Sequence, residues 1–153
     1  MLLAIDTETT GVPLWSYPDP YCRHQVGSWP RLVSVSWQVV TRNQARSPEE
    51  WVAKPDGFKI PSSASDIHGI THEKAASVGH PLCKILDILY ALIESHRPGT
   101  VVLAAYNYMF DYGVIAAECT RLDHPLGPIL KNKVEWQCIV GVLLSNPIYA
   151  YMT

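Results

Sequence analysis

The chain opens on Met1-Leu2-Leu3-Ala4-Ile5, a continuous apolar run that predicts a strand buried on both faces and closed by Gly11 and Pro13. Arg31 to Thr41 instead alternates, with Val33, Val35, Trp37 and Val39 set against Ser34, Ser36 and Gln38, and so predicts a half-buried strand. After the polar turn at 42–46, Trp51 to Lys54 predicts a short third strand, and the three form an antiparallel meander. Residues 61–79 show no sustained period and are expected to be irregular, apart from a helical turn begun by Thr71 as N-cap. Leu82, Ile85, Leu86, Leu89, Leu92 and Ile93 then recur at helical spacing, and Pro98-Gly99 ends a helix over 81–96. Val101 to Ala105 reads as another buried strand. A helix over about 109–122 follows, with Phe110, Val114 and Ala117 inward, and Val134 to Val142 forms a fifth strand. The order implies an α/β fold: a mixed sheet with helices packed on it.

The stretch between the first two strands, Val12 to Pro30, is rich in Pro, Trp and Tyr. A loop this long in a compact domain is a functional segment or an insertion. Its aromatic residues Trp15, Tyr17, Tyr21 and Trp29 suit either stacking on unpaired bases or packing onto the domain. The chain has 153 residues, 48% hydrophobic and 17% charged, enough for one globular domain spanning 1–153. At net charge −2 and pI ≈ 6.3 there is no general polycation effect, so affinity for a polyanion would come from a local patch or bound metal. No apolar run has the ~20 residues of a membrane span, and Asp6 interrupts the first run too early for a signal peptide, so an intracellular location is expected. The four cysteines, Cys22, Cys83, Cys119 and Cys138, form no C-x-x-C pair. Cys22-x-His24 and His80-x-x-Cys83 have irregular spacing for a zinc site.

Chemistry enters with Asp6 and Glu8. Side chains alternate along a strand, so the two carboxylates share one side and Thr7 faces the other. Hard oxygen ligands at a strand exit suit Mg²⁺ or Mn²⁺, although an Asp-x-Glu pair also ends many strands in plain solvent. Asp111 follows the strand at 101–105 and opens a helix, where the dipole alone favours an acid. If that strand lies beside the first, Asp111 emerges at the same carboxyl edge as Asp6 and Glu8, the edge where open α/β sheets place their sites.

These residues resemble the DnaQ-like DEDD 3′–5′ exonucleases, the proofreading type with an RNase H-like fold. Asp6-Thr7-Glu8-Thr9-Thr10-Gly11 matches the first motif of that family, and Ile67-His68-Gly69-Ile70-Thr71 matches its segment between the first and second motifs. Asn107-x-x-Phe110-Asp111 matches the second motif, with Tyr106 where many members carry His. The resemblance implies a five-stranded mixed sheet, three antiparallel strands then two parallel, with flanking helices. It also implies hydrolysis of terminal phosphodiesters of DNA or RNA with two divalent ions, Mg²⁺ or Mn²⁺, releasing nucleoside 5′-monophosphates. Asp6 would be the ligand shared by both ions, Glu8 would hold the ion carrying the nucleophile, and Asp111 would reach the second, partly through water. Thr9, Thr10 and Gly11 would contact the terminal nucleotide, and Asn107 belongs to the same substrate-binding set. His68 would line the substrate groove or cap its own segment through a backbone bond.

The third motif of the family, His-x-x-x-x-Asp or Tyr-x-x-x-Asp, supplies a general base and a fourth carboxylate. None of the six histidines has Asp five residues on, and none of the eight tyrosines has Asp four residues on. Asp123 lies at the far end of the helix that Asp111 begins, ~18 Å away at 1.5 Å per residue. The expectation is therefore an exonuclease domain incomplete at its C-terminal end, with the last helices missing. Loss of the base alone removes a contribution of about 10²–10⁴-fold. Two readings follow: a nuclease acting on single-stranded or frayed 3′ ends of DNA or RNA, completed by further chain or by a partner, or a nucleic-acid-binding or interaction module that keeps the fold. The residues point to no particular polymerase or other partner chain.

Overall fold

A computed structural model of the chain describes residues 1–14 and 16–139. Five strands, β1 (Leu2–Thr9), β2 (Leu32–Val40), β3 (Glu49–Val52), β4 (Val102–Ala105) and β5 (Glu135–Cys138), form one sheet in the order β3-β2-β1-β4-β5. β1 pairs antiparallel with β2, and β2 with β3, while β4 pairs parallel with β1, and β5 with β4. This is the expected mixed sheet of three antiparallel and two parallel strands, an RNase H-like α/β fold. Five helices flank it: α1 (Ser62–His68), α2 (His72–Val78), α3 (Leu82–Glu94), α4 (Tyr108–Leu122) and α5 (Leu126–Asn132).

The main core lies between one face of the sheet and α3, α4 and α5. Leu3, Ile5, Val35, Trp37 and Leu103 from the strands meet Ile85, Leu89, Val114 and Leu130 from the helices. Opposite residues in the register put Leu2, Ala4, Val40 and Val102 on the other face, where all but Ala4 are large and all four are half-buried. The first strand is thus fully buried on one face only, because the three core helices all cover that face. It also runs past Ile5 to Thr9, since β2 continues pairing with it to that point. The register shifts between Glu8 and Thr9, and this bulge sends Leu32 into the main core and its neighbour Val33 into a second, smaller one. There Val33 packs with Ile60, Ala64, Ile70 and Ala75, which fastens α1 and α2 to the sheet.

Three expectations shift. The third strand is Glu49–Val52 rather than 51–54, because Glu49 to Val52 is the stretch in register with Trp37 to Ser34. The segment 61–79 is two short helices rather than irregular chain. α1 buries only Ala64 and α2 only Ala75, too little apolar surface to leave a period in the sequence. Thr71 does cap α2, its hydroxyl accepting from Lys74 N at 3.1 Å. α5 was masked by Gly127-Pro128, yet a proline in the first turn removes no intrahelical bond, and the helix packs on α3 and α4. β5 is described to Cys138, and the expected continuation over 140–142 lies outside the described residues, as do Trp15 and the end of the chain.

The long 12–30 loop is docked onto α4. The Trp29 indole is buried, donates from Nε1 to Pro18 O at 2.9 Å, and lies over Gly113, where any Cβ would overlap its ring. The Tyr21 hydroxyl donates to Gly127 O at 3.1 Å. These two aromatic residues pack the loop rather than face solvent. No helix among the described residues is long and apolar enough to cross a membrane.

Candidate functional site

β1 carries the first two carboxylates to the carboxyl end of the sheet. Asp6 is exposed, Glu8 half-buried, and Thr7 between them buried, as the period of a strand requires. The parallel pairing of β4 with β1 brings the chain after Ala105 out at this same end, and α4 begins there with Asn107 as its N-cap. Asp111, on the first turn, is 4% exposed and its Oδ1 accepts from the Thr7 hydroxyl at 2.8 Å. The three carboxylates thus arrive at one edge from two elements. Asp111 meets β1 through Thr7, the residue that points away from Asp6 and Glu8. Among the described residues no three His, Cys, Asp or Glu side chains converge closely enough to hold an ion by themselves.

Two grooves meet at Glu8. The first, about 390 Å³, is acidic and open, and Asp6, Glu8, Ser34, Ser36, Glu49 and Glu50 line it. The strand register explains its charge: Ser36 lies opposite both Asp6 on β1 and Glu50 on β3, so the two acids flank one serine across three strands. The second, about 290 Å³, runs along Thr9, Thr10 and Gly11 and is walled by Val12, Ile67 and Phe110. Val12 and Ile67 are 78% and 85% exposed, so this groove presents apolar side chains to solvent. Burial raises the Glu8 pKa above the usual carboxylate range. The neighbouring charges of Asp6 and Glu50 raise it further, against a lowering from His68. Burial also pushes Asp111 up to about 6, with the Thr7 hydrogen bond opposing and Asp6 adding to the rise.

The donor set suits a hard divalent cation. All three candidate ligands are carboxylates, burial with the neighbouring charge of Asp6 holds Glu8 and Asp111 towards the protonated form, and no described Lys or Arg pairs with Asp6, Glu8, Glu50 or Asp111. Asp6 and Glu8, on one side of β1, are the residues that would hold such an ion. A second ion would need ligands beyond the described carboxylates, or water.

The other expected residues are also gathered here. The Thr9 hydroxyl donates to Gly11 O at 2.6 Å, and Gly11 adopts φ +151°, closing a tight bend that ends β1. Thr10 is tied to Arg31 in both directions, its N–H donating to Arg31 O at 3.0 Å and its Oγ1 accepting from Arg31 N at 2.9 Å. His68 takes the capping role considered for it and also lines the second groove. Its Nδ1 accepts from Ile70 N at 3.1 Å, which closes the turn after α1. An accepting Nδ1 leaves the proton of the neutral ring on Nε2, which is buried with no partner among the described residues. The Asn107 side chain donates to Tyr17 Oη at 2.9 Å, joining the loop to the α4 N-terminus. Asp123 sits beyond the other end of α4 in an ion pair with Arg23, far from the site. Sequence reasoning missed Glu50, Val12 and Ile67 as groove residues, because their place depends on register and on a helix that leaves no period.

The fold has clear parallels among solved structures. Escherichia coli exonuclease I in a zinc-bound complex with single-stranded DNA superposes with TM-score 0.69 at 18% identity, over 93% of this chain and 28% of that one. The fold is that of one part of exonuclease I. A moderately thermophilic exonuclease I from Methylocaldum szegediense gives TM-score 0.69 at 21% identity, over 93% of this chain and 28% of its own. A product-bound exonuclease I gives 0.69 at 19%, over 93% and 30%. The chain therefore spans under a third of the length of the exonuclease I chains it matches. No family model matches the sequence, and no curated protein matches it. The likeness to these structures is one of fold.

Proposed function

We infer that the chain is part of a 3′–5′ exonuclease that removes nucleoside 5′-monophosphates from single-stranded ends, with Asp6, Glu8 and Asp111 as its carboxylate ligands. The observation that carries this reading is the place of Glu8, where an acidic groove meets one with apolar walls. A terminal phosphodiester bears negative charge next to a flat, weakly polar base: the apolar-walled groove suits the base, and the acidic groove suits the phosphate only through cations held between them. Asp6 and Glu8 would hold divalent ions, Mg²⁺ or Mn²⁺, and Asp111 would contribute through water. When bound, such ions activate the attacking water and neutralise charge on the attacking and leaving oxygens. Thr9, Thr10 and Gly11 would line the sugar of the last nucleotide, and Val12, Ile67 and Phe110 would receive its base by contact and stacking. His68 lines the groove, and Asn107, at the start of α4, would contact the substrate from the same sheet edge. Exonuclease I has been solved with single-stranded DNA, which favours DNA as the first substrate to test.

A second reading is a nucleic-acid-binding module without turnover. It is favoured by the lack, among the described residues, of any three ligating side chains in one place. Degradation of a 5′-labelled single strand in Mn²⁺ separates the two. The nuclease reading expects stepwise loss of nucleotides from the 3′ end that Asp6→Ala abolishes. Binding of the strand without shortening supports the module, and equal shortening by both proteins removes Asp6 from the chemistry.

A further inference from the structure

One acid of the main body has no part in the site as described. Glu118 on α4 is fully buried, and one of its oxygens, Oε1, receives Arg31 Nε at 2.8 Å, Leu32 N at 3.0 Å and, as an ion pair, Arg121 Nη1 at 3.1 Å. It lies seven residues after Asp111, two helical turns on, so the two acids occupy one stripe of α4. Asp111 grips β1 at Thr7, and Glu118 grips the start of β2. Between those two points lies the bulge at Thr9 and Leu32, followed by the bend at Thr10 and Gly11. Arg31, held by Glu118 through its side chain, is the residue whose backbone makes both hydrogen bonds to Thr10. Arg121 uses its other nitrogen, Nη2, to hold Val26 O at 2.6 Å and Trp29 O at 2.8 Å, the last residues of the long loop before β2.

We propose that Glu118 is a positioning residue for the terminal-nucleotide groove: by holding Arg31 and Leu32 it sets the Thr9–Val12 bend that forms one wall of that groove. The proposal rests on the nuclease reading and adds a residue to it that touches neither substrate nor metal. Attachment of α4 to the sheet does not need this cluster. Val114, Ile115 and Ala117 on the same helix already sit in the main core. A buried carboxylate between two arginines adds little net stability compared with apolar packing, and removing either partner is costly because it strands a charge. Two of its three contacts fall on Arg31 and Leu32, the stretch hydrogen-bonded to the bend, and a displacement of about 1 Å in a positioning element is enough to cost about 10²-fold in function.

The experiment measures binding of a short, 5′-fluorescent single-stranded oligothymidylate by anisotropy in Ca²⁺, with melting temperature recorded for each protein. Glu118→Asp keeps the charge but shortens the reach, and Arg31→Ala removes the partly exposed partner and leaves the helix intact. Ile129→Val, in α5 and distant from the bend, serves as a control for destabilisation alone. Both test variants are expected to bind about tenfold more weakly or worse, while Ile129→Val binds as the parent does even where its melting temperature falls as far. Parent-like binding by a folded Arg31→Ala overturns the proposal, whether or not Glu118→Asp folds. Equal weakening in the Ile129→Val control also overturns it, since the effect would then follow stability. If the parent binds no oligonucleotide, the nuclease reading itself fails and the proposal falls with it.

Discussion

Asp111 shows how one side chain can report on its surroundings through pH. Its pKa lies at about 6 in the fold against an ordinary 3.8, so the folded protein holds this proton more tightly than the unfolded chain does. The contribution is fully present below pH ~3.8 and is lost as pH rises through about 6. In the metal-free protein, Asp111→Asn should therefore gain stability relative to the parent between pH 4 and 7, by about 2–3 kcal/mol at the upper end. Urea titrations of both proteins across that range check it, and parallel curves would show that Asp111 does not carry the shift. Gly11 gives a second test at this scale. At φ +151° it occupies backbone space that L side chains rarely enter, although nothing lies within 4 Å of a Cβ placed there. Gly11→Ala should cost about 1–3 kcal/mol from conformation alone, seen as a lower urea midpoint with an unchanged slope.

At the scale of elements, stability is unevenly spread. α3 and α4 each bury a stripe of residues in the main core, whereas α1 and α2 rest on one buried alanine apiece and on their end contacts. Removing the Thr71 hydroxyl should expose that difference: Thr71→Ala is expected to cost about 1 kcal/mol, read by thermal denaturation followed by circular dichroism. The same unevenness explains what the sequence revealed. Strands with a two-residue alternation and α3 with its apolar spacing were legible, as were the paired carboxylates, since β1 extends the alternation through Asp6, Thr7 and Glu8. α1 and α5 were not, because one is polar with a single inward alanine and the other starts with Gly127-Pro128. The place of Glu50 beside Asp6 follows from the cross-strand register, a long-range property that no local pattern encodes. Asp111 was placed at the right edge, but its bond to Thr7 was not foreseen, as the strand period only says that Thr7 turns away from the other two acids.

For the molecule as a whole, the proposed metal site predicts a response to divalent ions at the end of the sheet where acids gather with no described Lys or Arg partner. Mn²⁺ binding to the folded state alone should raise stability by about 2.7 kcal/mol when the free ion is at a hundredfold its Kd. A melting curve that moves up with Mn²⁺ in the parent and not in Asp6→Ala is the expected result, and an equal shift in both would locate the ion elsewhere. The body of the fold is common to exonuclease I chains more than three times as long.

The contact between Trp29 and Gly113 has a bearing on how such a chain can change over generations. The indole fills the volume that a side chain at position 113 would take, so a receptor for the long loop is written into α4 as an absence. Neither position can vary alone: a larger residue at 113 evicts the loop, and a smaller one at 29 leaves a hollow beside the helix. Among descendants of this sequence the loop and the glycine should therefore be inherited or lost together, and chains that lack the loop should be free to carry alanine or larger there.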